Sequence, residues 1–325
     1  MKLSQIVLIT GCNGFVGQQL VKILGSRSLR LAVRNPSEYF GSTTHDVCAG
    51  DLSVKRDWSA ALENVDLIVH CAARVHIMNE KSSDPLGEFR RVNVDGTLRL
   101  ANQAAAAGVK RFIFLSSIKV NGEHTQFGSP FVADQRPNPS DPYAISKMEA
   151  EEGLLALAMA TGMEVVIIRP PLIYGPGVKA NFLAMMRWLR RGIPLPFGAV
   201  TDNKRSLVAL DNLVDLIVTC LDHPSAANQI FMVSDGENLS TAALLRRMGA
   251  ALGRPARLIP VPVSLLRLGA KWFGKPAVAQ RLCGSLEVDI SKTRELLGWV
   301  PPVSVEEGLR RTALHWIESQ KMSRG

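Results

Sequence analysis

The stretch that decides the fold is Ile6-Val7-Leu8-Ile9-Thr10-Gly11-Cys12-Asn13-Gly14-Phe15-Val16-Gly17. An apolar strand pattern leads directly into three glycines spaced three residues apart, and an amphipathic helix pattern follows. Glycine is required where the backbone turns tightly, where it approaches a pyrophosphate, and where the helix packs closely on the strand. The helix N-terminus then offers N–H groups to the phosphates. The segment predicts a dinucleotide cradle that is formed by Gly11, Asn13, Gly14, Phe15, Val16 and Gly17.

Apolar strand patterns alternate with helical patterns through the first half of the chain. Such alternation predicts a parallel sheet that is covered by helices on both faces. The predicted fold class is α/β, a Rossmann-type doubly wound parallel sheet that binds ligands at the carboxyl ends of its strands. The predicted strands cover residues 6–10, 29–33, 67–70, 111–116 and 165–169, and the predicted helices cover 14–24, 58–63, 93–107 and 144–160.

The alternation stops after Arg169, where residues 170–177 are rich in proline and glycine. We expect a dinucleotide-binding domain over 1–170, to which 205–235 returns as a strand, a helix capped by Asp211 and a second strand. Residues 171–204 and 236–325 then form a smaller mixed C-terminal lobe that binds the substrate. In this lobe, Ser304-x-x-Glu307 resembles a capping box at the start of a helix.

The composition indicates a folded globular protein, since 46% of its 325 residues are hydrophobic and 21% are charged. The net charge of +9 suits a polyanionic ligand such as a nucleotide. Lys and Arg form no dense block with interleaved aromatics, which argues against nucleic acid as a partner. Five cysteines without metal-ligand spacing predict reduced thiols, no metal and a cytoplasmic location. The sequence predicts no signal peptide and no membrane insertion.

Residues 265–282 allow two interpretations. Leu, Val, Trp272 and Phe273 alternate there with Arg267, Lys271, Lys275 and Arg281. The segment is either a basic amphipathic surface helix or a lobe helix that packs on the core, and we expect the lobe helix.

Tyr143 and Lys147 stand four residues apart in a predicted helix, which places both side chains on one face. A neighbouring ammonium favours the phenolate, so Lys147 is expected to lower the pKa of Tyr143 toward the working range. Ser117 follows a predicted strand, where its hydroxyl can contact the same substrate oxygen. The three predict a proton relay for a carbonyl/alcohol couple. A nucleophilic role for Ser117 is disfavoured because the G-x-S-x-G elbow is absent, and His70 is interpreted as structural.

The chain resembles the extended short-chain dehydrogenase/reductases, in particular the NAD-dependent epimerase/dehydratase (UDP-glucose 4-epimerase-like) family. The resemblance covers nearly the whole length. The motifs that carry it are Thr10-Gly11-x-x-Gly14-x-x-Gly17, Gly50-Asp51-Leu52, His70-Cys71-Ala72-Ala73, Asn93-Val94-x-Gly96-Thr97, Ser116-Ser117, Tyr143-x-x-x-Lys147, Arg169-Pro170-x-x-x-Tyr174-Gly175-Pro176 and Asp289-x-Ser291-Lys292-x-x-x-x-Leu297-Gly298-Trp299.

The resemblance implies further site residues. Asp51 and Leu52 would flank the adenine, Ala72 and Ala73 would line the cofactor groove, and Asn93 would hold the strand that presents the nicotinamide. Lys147 would also bind the nicotinamide ribose, and Pro170 belongs to the cofactor-binding set. The implied substrate-binding residues are Arg74, His76, Ser117, Asn181, Arg205 and Arg281, with Asn181 and Arg205 on the diphosphate of a UDP-sugar and Arg281 as a second diphosphate contact.

The predicted cofactor is NADP(H), with NAD(H) possible. The second strand ends at Val33-Arg34-Asn35, about where an NAD enzyme places an acidic residue for the adenosine ribose. Arg34 would attract a 2′-phosphate instead, unless it is simply a solvated base.

Three functions remain open. The strings Ser116-Ser117-Ile118-Lys119 and Ala73-Arg74-Val75-His76 resemble a bacterial UDP-glucose 4-epimerase-like subgroup. Some members of this subgroup resemble 4-keto reductases that form UDP-N-acetylquinovosamine for surface polysaccharide, and we expect an NADPH-dependent C4 keto reduction of this kind. The alternatives are a UDP-hexose 4-epimerase with retained NAD and a non-catalytic NADP-binding sensor or scaffold. A 4,6-dehydratase is disfavoured because Ile118-Lys119 replaces an acidic pair. The resemblance also implies a homodimer in which helices 93–107 and 144–160 pair.

Overall fold

A computed structural model describes residues 5–34, 46–49, 52, 55–75 and 82–322. The described chain forms two sheets and the helices that cover them. The strands are β1 (Ile6–Thr10), β2 (Ser28–Val33), β3 (Asp46–Ala49), β4 (Val65–His70), β5 (Arg111–Leu115), β6 (Glu164–Arg169), β7 (Leu172–Tyr174), β8 (Arg205–Ala209), β9 (Gln229–Met232) and β10 (Asn238–Leu239).

The α-helices are α1 (Phe15–Ile23), α2 (Ser59–Leu62), α3 (Pro85–Phe89), α4 (Thr97–Ala106), α5 (Pro142–Thr161), α6 (Ala180–Arg191), α7 (Leu210–Asp222), α8 (Thr241–Ala251), α9 (Val263–Trp272), α10 (Pro276–Cys283), α11 (Ser291–Leu297) and α12 (Val305–Met322). A π-helical segment, Arg90–Gly96, joins α3 to α4, and short 3₁₀ turns lie at Ile118–Val120 and Pro224–Ala226.

The main sheet has seven strands in the order β3-β2-β1-β4-β5-β6-β9, and all its neighbours are parallel. From β1 the chain first adds β2 and β3 on one side and then crosses to add β4 on the other side. Sheets of this kind bind ligands at the crevice where the strand order reverses, which here lies beyond the ends of β1 and β4. Thr10 at the end of β1 is level with Ala32 and His70 on the neighbouring strands. The predicted α/β, Rossmann-type fold class is confirmed.

Apolar side chains fill both faces of the main sheet. One core contains Leu20 of α1 and Leu213 of α7, and the other contains Leu100 of α4 and Leu154 of α5. A third cluster lies between β7, α6, α8 and α12. This double coverage explains why the central strands are continuous apolar runs.

The second sheet is small and mixed, with β8 parallel to β7 and antiparallel to β10. Of the two strands expected to return to the main sheet, β9 does so, whereas β8 pairs in the small sheet. The turn-rich stretch after Arg169 also forms a strand, β7, because its backbone pairs with β8.

Two expected helix caps differ from the structure. Helix α7 begins at Leu210 without a side-chain cap, and Asp211 lies in its first turn, where its carboxylate accepts from Gln19 and Arg311. Ser304 does accept a hydrogen bond from the N–H of Glu307 at 3.3 Å. The Glu307 carboxylate does not complete the box, because it pairs with Arg310 and Arg311.

Residues 263–283 form two helices that pack mainly on each other. Helix α9 contains no buried residue, and α10 buries only Ala279 and Cys283. The expectation that this segment packs on the core is therefore wrong, since its large apolar side chains face outward. Within the described ranges, no helix combines the length and hydropathy needed to span a membrane. Cys12, Cys48, Cys71, Cys220 and Cys283 all lie within the described ranges, and none of them forms a disulfide.

Candidate active site

The glycines of the β1–α1 turn are required by close approaches of the backbone. Gly11 has φ +70°, and a Cβ there would lie 2.7 Å from the backbone nitrogen of Ala72. A Cβ on Gly17 would lie 2.2 Å from the carbonyl oxygen of Gly11. No larger residue fits at either position without a backbone shift. The turn therefore brings α1 directly against the ends of β1 and β4.

The N-terminus of α1 can hold a dinucleotide pyrophosphate. Gly14 is its N-cap, with extended backbone, and no side chain caps the helix. The N–H of Gly14 donates to Gly11 across the turn at 2.8 Å, which fixes the loop. Unlike α5 or α8, whose first turns bind Asp141 and Ser240, α1 leaves its first-turn N–H groups without a side-chain acceptor. In this cradle, Asn13 is exposed, Phe15 is half-buried and Val16 is buried.

A chain of buried hydrogen bonds ties the crevice floor together. His70 contacts Thr10 Oγ1 through Nδ1 at 2.8 Å and Thr97 Oγ1 through Nε2 at 3.0 Å. Thr10 Oγ1 also accepts from the N–H of Ala72 at 3.3 Å. Burial, with a smaller contribution from the Lys147 charge, lowers the pKa of His70 to about 3. The imidazole therefore stays neutral and links β1, β4 and α4, which is a structural role.

This buried imidazole gives the first prediction, on acid stability. The unfolded His70 binds a proton near its usual pKa of 6.5 and the folded one only near 3, so stability is lost as pH falls through this window. At about pH 4.5 the cost is about 2–3 kcal/mol. Urea unfolding should show a smaller loss between neutral pH and this pH for His70→Gln than for the wild type. Equal losses would contradict the assignment.

Asn93 lies in the π-helical segment and joins three parts of the crevice. Its Oδ1 accepts from the N–H of Arg74 at 2.8 Å, and its Nδ2 donates to the carbonyl of Arg74 and to Ser146 Oγ, both at 3.0 Å. The amide therefore pins the loop after β4, which contains Ala72 and Ala73, against α5. The role of Asn93 in holding the strand that presents the nicotinamide stays a prediction.

The three predicted catalytic residues lie at the end of β5 and in the first turns of α5, where Ser117 contacts Tyr143 and Lys147 reaches the last residue of β5. Ser117 follows β5 in extended backbone and caps the 3₁₀ turn that begins at Ile118. Its side chain lies close enough to the Tyr143 hydroxyl to influence the pKa of that group. The Lys147 ammonium donates to the carbonyl of Leu115 at 2.8 Å and lies 4.3 Å from the ring centroid of Phe114.

The electrostatics of this group differ from the sequence expectation. Burial, reinforced by the nearby Asp141, raises the pKa of Tyr143 to about 12, and a hydrogen bond with Ser117 opposes the shift. Burial also lowers the pKa of Lys147 to about 8, against the influence of Cys71 and Glu151. The expected depression of the Tyr143 pKa by Lys147 is therefore wrong: burial dominates, and the Ser117 hydrogen bond is the influence that lowers the pKa. Tyr143 is a protonated hydroxyl at neutral pH and is suited to donate a proton.

A buried ionic network that the sequence analysis missed supports the loop of Ser117. Arg169 Nε donates to Glu151 Oε1 at 3.0 Å, and its Nη1 donates to Asn121 Oδ1 at 2.9 Å. Ser116 donates its hydroxyl to the same Glu151 carboxylate. Glu151 and Arg169 are each 2% exposed. The N–H of Ile118 also donates at 3.0 Å to the carbonyl of Pro170, the residue after β6, so this end of the sheet holds the loop as well.

The predicted substrate residues are partly brought together. Arg205 on β8 donates to the carbonyl of Gly284, the residue after α10, at 3.3 Å. Burial and the charge of Arg281 on α10 lower the pKa of Arg205, so the two guanidinium groups lie near each other. Asn181 is exposed at the start of α6. The Arg74 guanidinium lies 5.6 Å from the ring centroid of Phe89, and the Phe89 ring also packs edge-on against Tyr143.

Leu52 and Arg34, two further predicted cofactor residues, lie within the described ranges. Leu52 is buried, and its carbonyl lies so near Gly96 that a Cβ there would approach it to 2.3 Å. Arg34 is exposed just beyond the carboxyl end of β2. Asp51 and His76 lie outside the residues that the structure describes.

The parallel sheet, the glycine cradle and the Tyr143–Lys147 pair define a dinucleotide-binding fold of the extended short-chain dehydrogenase/reductase type. The sequence profile of the NAD dependent epimerase/dehydratase family matches residues 7–234. The chain belongs to this family, as its motifs predicted.

Individual proteins resemble the chain over nearly its full length. A Vibrio cholerae protein named UDP-glucose 4-epimerase is 50% identical over 98% of this chain and 97% of its own length. The solved UDP-glucose 4-epimerase of Thermotoga maritima with UDP-glucose has TM-score 0.77 at 21% identity, covering 97% of this chain and 100% of that one. RMD of Pseudomonas aeruginosa complexed with NADPH has TM-score 0.71 at 21% identity, with the same coverage.

Proposed function

We propose that this protein catalyses NADPH-dependent reduction of the C4 keto group of a UDP-4-keto-6-deoxy-N-acetylhexosamine. The product is a UDP-N-acetyl-6-deoxyhexosamine such as UDP-N-acetylquinovosamine, for bacterial surface polysaccharide. The observation that carries the proposal is that the neutral phenol of Tyr143 hydrogen-bonds with Ser117, while the buried Lys147 is held on the last residue of β5 beside them. A sensor or scaffold needs a crevice but has no use for this set of side chains.

Each residue of the site has a separate role in a carbonyl reduction. A nicotinamide cofactor, when bound in the crevice, would supply the hydride. Ser117 donates a hydrogen bond to the substrate carbonyl oxygen, and Tyr143 donates its proton to the oxygen as negative charge develops there. Positioning of the carbonyl against these two hydroxyls supplies much of the rate enhancement. Lys147 holds the cofactor ribose and stabilises the phenolate that Tyr143 leaves behind.

The substrate diphosphate is assigned to Arg205 and Arg281. Burial and the neighbouring charge of Arg281 lower the pKa of Arg205, so an anion placed between the two guanidinium groups would relieve their repulsion, and Arg forms bidentate bonds with phosphate oxygens. We assign 171–204 and 236–325, which supply Asn181 and Arg281, to the nucleotide-sugar lobe. The homodimer through 93–107 and 144–160 stays a prediction.

Arg34 gives the second prediction, on cofactor preference. If Arg34 binds the 2′-phosphate, Arg34→Ala removes a charge-assisted contact worth about 1.5–3 kcal/mol, or about 10–100-fold in affinity. Fluorescence titration should then show a higher Kd for NADPH and an unchanged Kd for NADH. The exposed Lys22, which lies on α1, provides the control Lys22→Ala. Equal weakening of both cofactors would contradict the assignment.

A second candidate is a UDP-hexose 4-epimerase with retained NAD, because the Vibrio cholerae relative carries that name. An epimerase restores its own cofactor in each turnover, whereas a reductase consumes NADPH. The purified protein is therefore supplied with the keto sugar and NADPH while absorbance is followed. Stoichiometric loss of NADPH supports the reductase. No loss, together with interconversion of UDP-hexoses without added cofactor, identifies the epimerase.

A further inference from the structure

The two helices α9 and α10 with their connection, residues 263–283, form an exposed hairpin whose outer face is apolar. Leu265, Leu268 and Trp272 are 56%, 60% and 87% exposed, and their spacing of three and four residues places them on one side of α9. Phe273, which follows, is 80% exposed, and Val278 on α10 is 46% exposed. A stripe of large apolar side chains that faces solvent rather than the core marks a docking surface.

Cations flank this stripe without any balancing acid. Arg267 and Lys271 lie four residues apart on α9, Lys275 follows it, and Arg281 lies on α10. Among the residues with described positions, none of these four forms an ion pair. Between Glu237 and Glu287 the sequence contains eight Lys or Arg and no Asp or Glu, which accounts for nearly all of the net charge of +9.

We propose that the hairpin docks this protein onto the headgroup region of an anionic lipid bilayer. An interfacial helix buries an apolar stripe at the boundary between headgroups and acyl chains while its cations contact anionic lipids. Trp272 and Phe273, at the exposed tip, are suited to that boundary. The helices lie on the surface and do not cross it.

Charge complementarity favours this occupant over two others. A second copy of the chain would bring one acid-free basic surface against another, and like charges oppose that pairing. A nucleic acid would match the cations but would leave the outer row of Leu265, Leu268 and Trp272 in water. An anionic bilayer is the surface that takes up both the charges and the apolar stripe.

Docking would also place the candidate substrate site close to the lipid. This consequence rests on the proposed function. Helix α10 ends beside Gly284, whose carbonyl accepts from Arg205, and it carries Arg281. The proposed diphosphate pocket would therefore open near the lipid surface. Docking itself is measured without substrate or cofactor, so its failure leaves the proposed reaction untouched.

The test is co-sedimentation of the full chain with vesicles of phosphatidylcholine alone and of equal parts phosphatidylcholine and phosphatidylglycerol. We expect binding to the anionic vesicles that weakens as salt is added. Trp272→Ser/Phe273→Ser should lower the partition coefficient by at least about tenfold, because two apolar side chains no longer enter the interface. Lys271→Gln/Lys275→Gln should lower it by about 30-fold, since each charge contributes about fivefold.

Matched controls are Ile23→Ser/Val300→Ser, which removes two exposed apolar side chains elsewhere, and Lys22→Gln/Lys55→Gln, which removes the same charge elsewhere. Both should bind like the wild type. No vesicle binding, equal binding to neutral vesicles, or binding unchanged in Trp272→Ser/Phe273→Ser would overturn the proposal. A change of oligomeric state in that variant by sedimentation velocity, or preference for a duplex oligonucleotide over the vesicles, would also overturn it.

Discussion

Replacement of Tyr143 by Phe is expected to lower kcat by about 10²–10⁴-fold, the contribution usual for a positioned proton donor. The substitution keeps the ring, which packs edge-on against Phe89 with centroids 6.0 Å apart, and removes only the hydroxyl. Cofactor affinity should therefore stay at the wild-type value. Steady-state kinetics with the keto sugar and a separate NADPH titration measure the two quantities.

Tyr174 provides the matched control for this experiment. Its hydroxyl donates to Asp235 at 2.8 Å in the core beside the small sheet. Tyr174→Phe removes a buried hydrogen bond and should cost about 1–3 kcal/mol of stability without a comparable loss of kcat. If Tyr143→Phe keeps its kcat, or if both variants lose it alike, the proton-donor role of Tyr143 is wrong.

The largest loss of stability is expected for Glu151→Ala. The substitution leaves the Arg169 guanidinium buried without its carboxylate and removes the acceptor of the Ser116 hydroxyl. Breaking a buried ion pair from one side usually costs about 3–5 kcal/mol. Urea denaturation at neutral pH, followed by circular dichroism, measures the free energy of unfolding.

Glu149 lies on the same helix, two residues earlier, and provides the control. Its carboxylate pairs with Arg90, whose side chain is 48% exposed. Because exposed ion pairs contribute at most about 1 kcal/mol, Glu149→Ala should change stability little. Similar losses in the two variants would show that the Glu151–Arg169 pair does not differ from a surface pair.

The central fold could be predicted because its local patterns and its final contacts agree. The apolar runs that end at Thr10 and Arg169 are buried on both faces, so composition alone distinguishes them from surface strands. Strand β3 was missed because four residues at the sheet edge carry no periodic pattern. Strand β8 was assigned to the wrong sheet because an apolar run does not say which strands it pairs with, and its pairing with β7 and β10 is long-range.

The supporting side chains of the site were less predictable than the site itself. Glu151 and Glu152 are adjacent acids on α5, and nothing in the local sequence distinguishes them. Only the packing of α5 against β6 buries Glu151 beside Arg169 and leaves Glu152 exposed. The pKa of Tyr143 was misjudged for a similar reason, since burial depends on the whole crevice and not on a residue one turn away.

The outward face of α9 shows a further limit of pattern analysis. Helical periodicity identifies an apolar stripe but does not say whether the stripe faces the core or solvent. The sequence analysis also missed the charge asymmetry of this region. Lys and Arg are spread along the whole chain, and the unusual feature is the lack of Asp and Glu between Glu237 and Glu287.

Transfer of deuterium tests the central claim most directly. NADPH carrying deuterium at the transferable position is supplied with the UDP-4-keto sugar, and the product is analysed by NMR. The account predicts one deuterium at C4 for each NADPH consumed, at a rate that collapses in Tyr143→Phe. A product without deuterium at C4, or transfer that persists in Tyr143→Phe, would contradict it.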